Sequence, residues 1–347
     1  MTAVRVLIVD DSLTMRRLIR LALSGDARID VVGEARDAMQ ARERLHDLRP
    51  DVMTLDVEMP CISGLDFLSE VMRDAPLPIV MVSTETHKGS DAAVEALALG
   101  AVECIGKPQN ATSAEAFAPL RDAVVHAAQA RVRPRVTAPR RVLPNASFVW
   151  NGRYAVIGSS TGGVEALERI LGRFPKNCPP TVIVQHMPEG FLAKFAQRLD
   201  ARIEAKVALA STGAPLLPGR IYIAPGGSTH LTLLGPRAKP VCQLSEGERR
   251  LGHRPSIDNL FESAAHLGGY AVAALLTGMG RDGADGMLWM RRMGSTCLAQ
   301  DKDSSLVWGM PRAAWESGAA ERLVGLDDMA DAILQACGRM AGRVASA

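Results

Sequence analysis

The 347-residue sequence predicts an α/β protein of two doubly wound parallel sheets, the second carrying a small antiparallel insertion. Three observations lead there. Short apolar runs alternate with helical patterns over residues 1–125, and the alternation resumes over residues 151–347. Between them, residues 126–150 lose apolar periodicity and fill with arginine and proline, the composition of an extended tether. The length suits two domains, and 47% hydrophobic residues supply a core for each.

Composition narrows the function before any motif is read. Forty basic residues stand against 38 acidic ones, for a net charge of +2, and aromatics make up 4%. Neither the basic footprint nor the stacking platform of a nucleic-acid binder is present, so no nucleic-acid partner is expected. Cys61, Cys104, Cys178, Cys242, Cys297 and Cys337 are scattered without C-x-x-C spacing, which points to reduced thiols rather than structural zinc. The chain opens without a signal region and holds no apolar run of bilayer length, so a cytoplasmic protein without membrane insertion is expected.

In the first domain the expected strands are Val4 to Val9, Ile29 to Gly33, Val52 to Leu55, Ile79 to Val82 and Ala101 to Ile105. Functional groups of such sheets gather beyond the carboxyl ends of the strands. Those ends present Asp10 and Asp11, then Asp56, then Ser83 and Thr84, then Lys107-Pro108. Converging carboxylates repel one another unless a hard cation lies among them, and Mg2+ with oxygen ligands is the natural choice. A hydroxyl and a lysine opposite complete a cage for a phosphoryl group on a carboxylate. Taken singly, Asp10 and Asp11 also read as caps of the helix beginning near Ser12, and Lys107 as a solvated loop lysine. Agreement among the strand ends favours the site.

The segments Asp10-Asp11-Ser12, Leu55-Asp56-Val57-Glu58-Met59-Pro60, Val82-Ser83 and Gly106-Lys107-Pro108 resemble the receiver domain of bacterial response regulators, a flavodoxin-like (CheY-like) fold. The resemblance implies that Asp56 accepts phosphate from a histidine kinase of the chemotaxis type. It also implies that Asp10, Asp11 and Asp56 hold Mg2+, that Ser83 reports the phosphoryl group and that Lys107 pairs with it. Cys104 stands where many receivers carry a mobile aromatic.

The second domain turns on Val156-Ile157-Gly158-Ser159-Ser160-Thr161-Gly162-Gly163. An apolar run stops in small residues, and a helical pattern with Val164, Leu167, Ile170 and Leu171 on one face follows: strand, tight turn, helix. Gly158-x-Ser160-x-Gly162 has the spacing of a nucleophile elbow, and the N–H groups that open the helix could hold an oxyanion. Ser160 is therefore the candidate nucleophile; a turn that cradles a phosphate is the alternative, although no Walker lysine follows. Further strands are expected at Tyr154 to Ile157, Thr181 to Gln185 and Ala271 to Leu276, with others near Ile221 to Ala224, Leu231 to Leu234 and Cys297 to Ala299. The three main strands end in Ser160, in His186 and in Thr277-Gly278-Met279-Gly280-Arg281-Asp282-Gly283. Were they parallel neighbours, a hydroxyl, an imidazole and a carboxylate would share one edge, as nucleophile, general base and orienting group. His230, His253 and His266 are rival bases: His253 lies in a basic, polar loop, His266 in a helical pattern and His230 at a strand start.

Gly158-Ser159-Ser160-Thr161-Gly162-Gly163, Val184-Gln185-His186-Met187-Pro188, His253-Arg254-Pro255-Ser256-Ile257-Asp258, Leu276-Thr277-Gly278-Met279-Gly280-Arg281-Asp282-Gly283 and Gly309-Met310-Pro311 resemble the catalytic domain of the chemotaxis protein-glutamate methylesterase (CheB) family. A receiver tethered to such a domain is that family's architecture. The resemblance implies hydrolysis of glutamate γ-methyl esters on methyl-accepting chemoreceptors, with release of methanol, and deamidation of particular glutamines. It places oxyanion support at Thr161 and Met279, and requires no metal for hydrolysis. The expected control is obstruction: the resting receiver covers Ser160, and a phosphoryl group on Asp56 releases it. A docking module without turnover is the rival from another class. A transcription factor is a further one, but no helix-turn-helix candidate is legible in the second domain.

Overall fold

The computed structural model describes residues 3–83, 91–107, 114–132 and 148–340. Thr84, Pro108 and most of the tether fall outside that range, as does the side chain of Ser83. The chain divides into two compact units, Met1–Thr137 and Ala138–Ala347.

In the first unit β1 (Val4–Val9), α1 (Leu13–Ser24), β2 (Ile29–Ala35), α2 (Ala38–Leu48), β3 (Val52–Leu55), α3 (Gly64–Asp74), β4 (Ile79–Ser83), α4 (Asp91–Ala98), β5 (Glu103–Gly106) and α5 (Ala118–Ala127) follow one another. The parallel sheet has the order β2-β1-β3-β4-β5, the flavodoxin-like winding. Strands in such a sheet are covered on both faces and read as continuous apolar runs; Val6, Leu7, Ile8 and Val9 are all buried. Helix starts are set by side-chain caps, Ser12 for α1, Asp37 for α2 and Ser63 for α3.

The second unit opens with β6 (Phe148–Trp150), β7 (Tyr154–Ser159), α6 (Gly163–Leu171), β8 (Thr181–Gln185), α7 (Glu189–Arg202), β9 (Lys206–Leu209) and β10 (Arg220–Ile223). It continues through β11 (Thr229–Leu234), β12 (Val241–Glu246), α8 (Ile257–Ala264), β13 (Ala271–Leu275), α9 (Ala284–Arg292) and β14 (Thr296–Gln300). It closes with α10 (Met310–Glu316), β15 (Arg322–Val324), α11 (Leu326–Cys337) and β16 (Gly338–Met340). Seven parallel strands form one sheet in the order β15-β14-β13-β7-β8-β10-β9. The expected antiparallel insertion is the β11–β12 hairpin. The β6–β16 pair, and strands β9, β12 and β15, are additions to the sequence expectation.

The decisive feature is adjacency. Strand β7 pairs with β8 on one side and β13 on the other, all parallel, so the chain reverses its winding direction at β7. Open α/β sheets bind ligands at such a switch point, beyond the carboxyl ends. The apolar face of α6, with Val164, Leu167, Ile170 and Leu171 buried, holds the turn after β7 against the sheet.

Candidate functional sites

In the first unit the ends of β1 and β3 bring Asp10 and Asp56 together, 1% and 4% exposed, beside an exposed Asp11. Their carboxylates offer oxygens within 4.8 Å of one another. Ser12, not Asp10 or Asp11, caps α1, accepting from the Met15 N–H at 3.3 Å, while Asp10 Oδ1 accepts from the Ser12 N–H at 2.9 Å. Arg16 donates to the carbonyls of Asp10 and Asp11 and so fixes the loop that carries them. From the end of β5, Lys107 Nζ lies 2.7 Å from both Asp10 Oδ2 and Asp56 Oδ2. The contact to Asp56 is a hydrogen bond, and that to Asp10 is an ion pair at the same distance. Burial raises the Asp56 pKa against the pull of Lys107. For Lys107, burial opposes the charge, but Asp10 and Asp56 outweigh it and raise the pKa. A donor set of three clustered carboxylates fits a hard divalent cation. Ser83 ends β4, next to Gly106 of β5. Cys104 donates from Sγ to the Ala93 carbonyl at 3.5 Å, and burial pushes its thiol well up.

In the second unit the turn after β7 carries Ser160, partly exposed. The left-handed residue of this turn is Gly162 (φ 78°), and Ser160 is not among the positive-φ residues, so the strain of a nucleophile elbow falls on the glycine. Gly278 lies so close that a Cβ there would stand 2.6 Å from Ser160 Cβ. Of the N–H groups expected for an oxyanion, that of Gly163 is already bonded to the Ser160 carbonyl at 2.7 Å. The Thr161 and Met279 N–H groups have no acceptor among the described residues. Met279 follows Gly278, whose N–H donates to Val307 and whose carbonyl accepts from Gly309 and Met310. The Gly309-Met310-Pro311 segment thus braces the loop after β13.

His186, at the end of β8, lies with Nε2 2.9 Å from Asp282 Oδ2. A carboxylate acceptor there assigns the proton to Nε2 and leaves Nδ1 as the basic nitrogen. Nδ1 is buried and has no hydrogen-bond partner among the described residues. The proton path expected from Ser160 to His186 therefore carries no hydrogen bond from Nδ1 among the described residues, and catalytic hydrogen bonds of this kind are often completed only with substrate in place. Asp282, 1% exposed, also accepts from Ser256 Oγ (2.9 Å) and from the N–H groups of Ile257 (2.8 Å) and Asp258 (3.0 Å). Burial alone would raise this carboxyl; the hydrogen bond and charge of His186, with the N–H groups opening α8, overcome it and hold its pKa well below the usual range.

Three residues that support the site, Gln185, Ser256 and His253, were not given that role from the sequence. Gln185 donates from Nε2 to the carbonyls of Ser160 (2.9 Å) and His186 (3.0 Å) and accepts from Ser159 Oγ at 2.6 Å, so one side chain spaces the two strand ends. An amide ending an otherwise apolar strand was a usable signal. Ser256 caps α8 as well as binding Asp282, and its place before a helical pattern was another. His230, a rival base, is buried, accepts from the Ser256 N–H at 3.1 Å and bonds the Glu248 carbonyl at 2.8 Å, which makes it structural. His266 likewise bonds the carbonyls of Ser263 and Gly235. His253, expected in a polar loop, instead stacks on His186 with ring centroids 3.8 Å apart and planes 7° from parallel. No local pattern announces that contact.

Comparison with known proteins bears on both units. Residues 155–333 match the CheB methylesterase family and residues 6–116 the response regulator receiver domain. A protein-glutamate methylesterase/protein-glutamine glutaminase 1 of Caulobacter vibrioides is 52% identical over 338 residues, covering 96% of this chain and 98% of its own length. A protein-glutamate methylesterase/protein-glutamine glutaminase of Agrobacterium fabrum is 47% identical over 338 residues, covering 95% of this chain and 96% of its own. Among solved structures, the catalytic domain of Thermotoga maritima CheB methylesterase aligns with TM-score 0.51 and 37% identity, over 53% of this chain and 98% of that one.

Proposed function

The chain belongs to the CheB methylesterase family, and from that premise we propose how its residues divide the work. It is a receiver-regulated protein-glutamate methylesterase and protein-glutamine glutaminase, acting on glutamate γ-methyl esters and selected glutamines of methyl-accepting chemoreceptors.

In the mechanism we propose, Ser160 Oγ attacks the γ-carbonyl carbon while His186 Nδ1 takes its proton. The tetrahedral oxyanion accepts from the Thr161 and Met279 N–H groups. Its collapse breaks the bond to the methoxy oxygen, which leaves with the proton from His186 as methanol; with glutamine, ammonia leaves instead. Water, giving a proton to His186, then attacks the acyl carbon; collapse breaks the bond to Ser160 Oγ, which takes that proton back from His186, and glutamate is released. Asp282 keeps the Nε2 proton in place and stabilises the imidazolium. The observation that carries this reading is the bond from His186 Nε2 to a carboxylate gripped by three further donors, with Nδ1 left unpaired among the described residues.

In the receiver, Asp56 is the phosphoacceptor, Asp10, Asp11 and Asp56 would hold Mg2+, and Ser83 and Lys107 answer the phosphoryl group. The ion, when bound, offsets charge on the transferring phosphoryl oxygens. Lys107 already bridges Asp10 and Asp56, so added charge on Asp56 redistributes its contacts. The phosphodonor is a chemotaxis-type histidine kinase, and the protein acts from the cytoplasm; among the described residues no helix is long and apolar enough to cross a membrane.

The test is methanol release from receptor membranes methylated at glutamate, for wild type and Ser160→Ala, with and without Mg2+ and a small phosphodonor. Release that needs Ser160 and rises with phosphodonor supports the reading. Release unchanged in Ser160→Ala overturns the nucleophile assignment.

A further inference from the structure

We infer that His253 is a positioning residue for His186: its ring fixes the plane of the base and presents a neutral π face to the imidazolium formed during turnover. The inference rests on the reading of His186 as general base.

Hydrogen bonds alone leave that plane undetermined. Nε2 is pinned to Asp282, but one bond fixes an atom and lets the ring swing about it, and Nδ1 has no partner among the described residues that would stop the swing. The parallel ring 3.8 Å away does stop it. His253 is itself held on a stiff support. Its N–H and carbonyl pair reciprocally with Arg250 at 2.8 and 3.0 Å across a two-residue turn, Leu251 (φ 50°) and Gly252 (φ 84°). Arg250 in turn grips Glu262 at 2.6 and 2.7 Å and Asn259 at 3.1 Å, both on α8. Arg254 holds the other side through the Gly227 and Gly247 carbonyls. The N-terminus of α8 binds Asp282, so one helix sets both the carboxylate at the edge of His186 and the ring on its face.

Charge makes the arrangement specific. The groups facing His253 are His186 from the end of β8, Asp282 from the turn after β13 and Arg249 on its own loop. Burial first, then His186, pushes the His253 pKa down to about 4, so its ring is neutral at pH 7. A neutral aromatic face attracts a cation stacked on it, whereas a second cation would oppose the imidazolium.

The experiment compares kcat and KM for methanol release by full-length wild type, His253→Ala, His253→Phe and His253→Lys, with His186→Gln alongside. Loss of the ring in His253→Ala should lower kcat about tenfold with KM within about twofold; His253→Phe should stay within about threefold of wild type, and His253→Lys should fall below His253→Ala. The acid limb of the kcat/KM profile should coincide for wild type and His253→Phe, since the group removed is already neutral there. His253→Phe as slow as His253→Ala, or His253→Ala equal to wild type, overturns the inference. Should His253→Ala fail to fold, the contrast between Phe and Lys decides it, equal rates counting against. Turnover surviving in His186→Gln would instead sink the base assignment, whatever the His253 variants do.

Discussion

Asp258 shows how the second site loads its surroundings. It is fully buried, one oxygen accepts from the Gly286 N–H at 2.7 Å, and the other has no hydrogen-bond partner among the described residues. Burial, with Asp282 adding to it, lifts its pKa from 3.8 to about 6. A carboxyl raised on folding holds its proton more tightly in the native state, so native stability is lost as pH climbs from the unfolded value through about 6. Asp258→Asn, which keeps the acceptor and drops the charge, should therefore stabilise the protein at pH 7.5 by on the order of 1–3 kcal/mol, with the gain shrinking toward pH 4.5. Thermal midpoints across that range check it, and a gain that grows in acid would refute it. Ser256→Ala has the opposite sign: it removes a donor to Asp282 and the cap of α8, and should cost about 1 kcal/mol of stability and about tenfold in kcat. At this scale the sequence offered Ser160 and His186 as candidates because each directly follows a recognisable strand, and Asp282 because it lies in the small-residue loop after another. Gln185 and His253 act through neighbours distant in the chain, and a linear pattern does not record what a side chain touches.

Helices and strands were the most legible level, since burial on both faces of a parallel sheet leaves apolar runs that cannot be mistaken for loops. The run Thr181 to Gln185 coincides with β8, and Val52 to Leu55 with β3. Strands of three residues have no period to read: β16 follows α11 directly and pairs with β6 near the other end of the unit, a contact of tertiary origin. The turn from β7 into α6 illustrates what an element needs beyond its pattern. A Cβ on Gly163 would lie 2.0 Å from Gln185 Oε1 and 2.9 Å from Ser159 Oγ. Gly163→Ala must then displace the amide that ties the Ser160 and His186 carbonyls, so kcat should fall on the order of 100-fold. Stability should drop by roughly 1–3 kcal/mol. A variant with wild-type turnover would show that the spacing of the strand ends does not depend on Gln185.

For the whole molecule the question is how a charge placed on one unit is felt by the other. The units have separate cores: Leu7, Phe67 and Met81 belong to one, and Val156, Leu260 and Met310 to the other. A receiver phosphorylated at Asp56 can act by uncovering the hydrolase or by improving it, and the two routes separate under truncation. Under obstruction, the second unit alone should turn over faster than the unphosphorylated full chain and should not respond to a phosphodonor. Asp56→Asn in the full chain should keep the low basal rate and lose the stimulation. If phosphorylation instead builds a better active site, truncation should leave the rate at or below the basal level, because no positive signal remains to be delivered. Methanol release by the full chain, by Asp56→Asn and by a chain lacking residues 1–137 therefore separates the two mechanisms, the truncation following the boundary between the units. A truncated chain faster than the resting enzyme, paired with an unresponsive Asp56→Asn, would make the receiver a cover that phosphorylation releases.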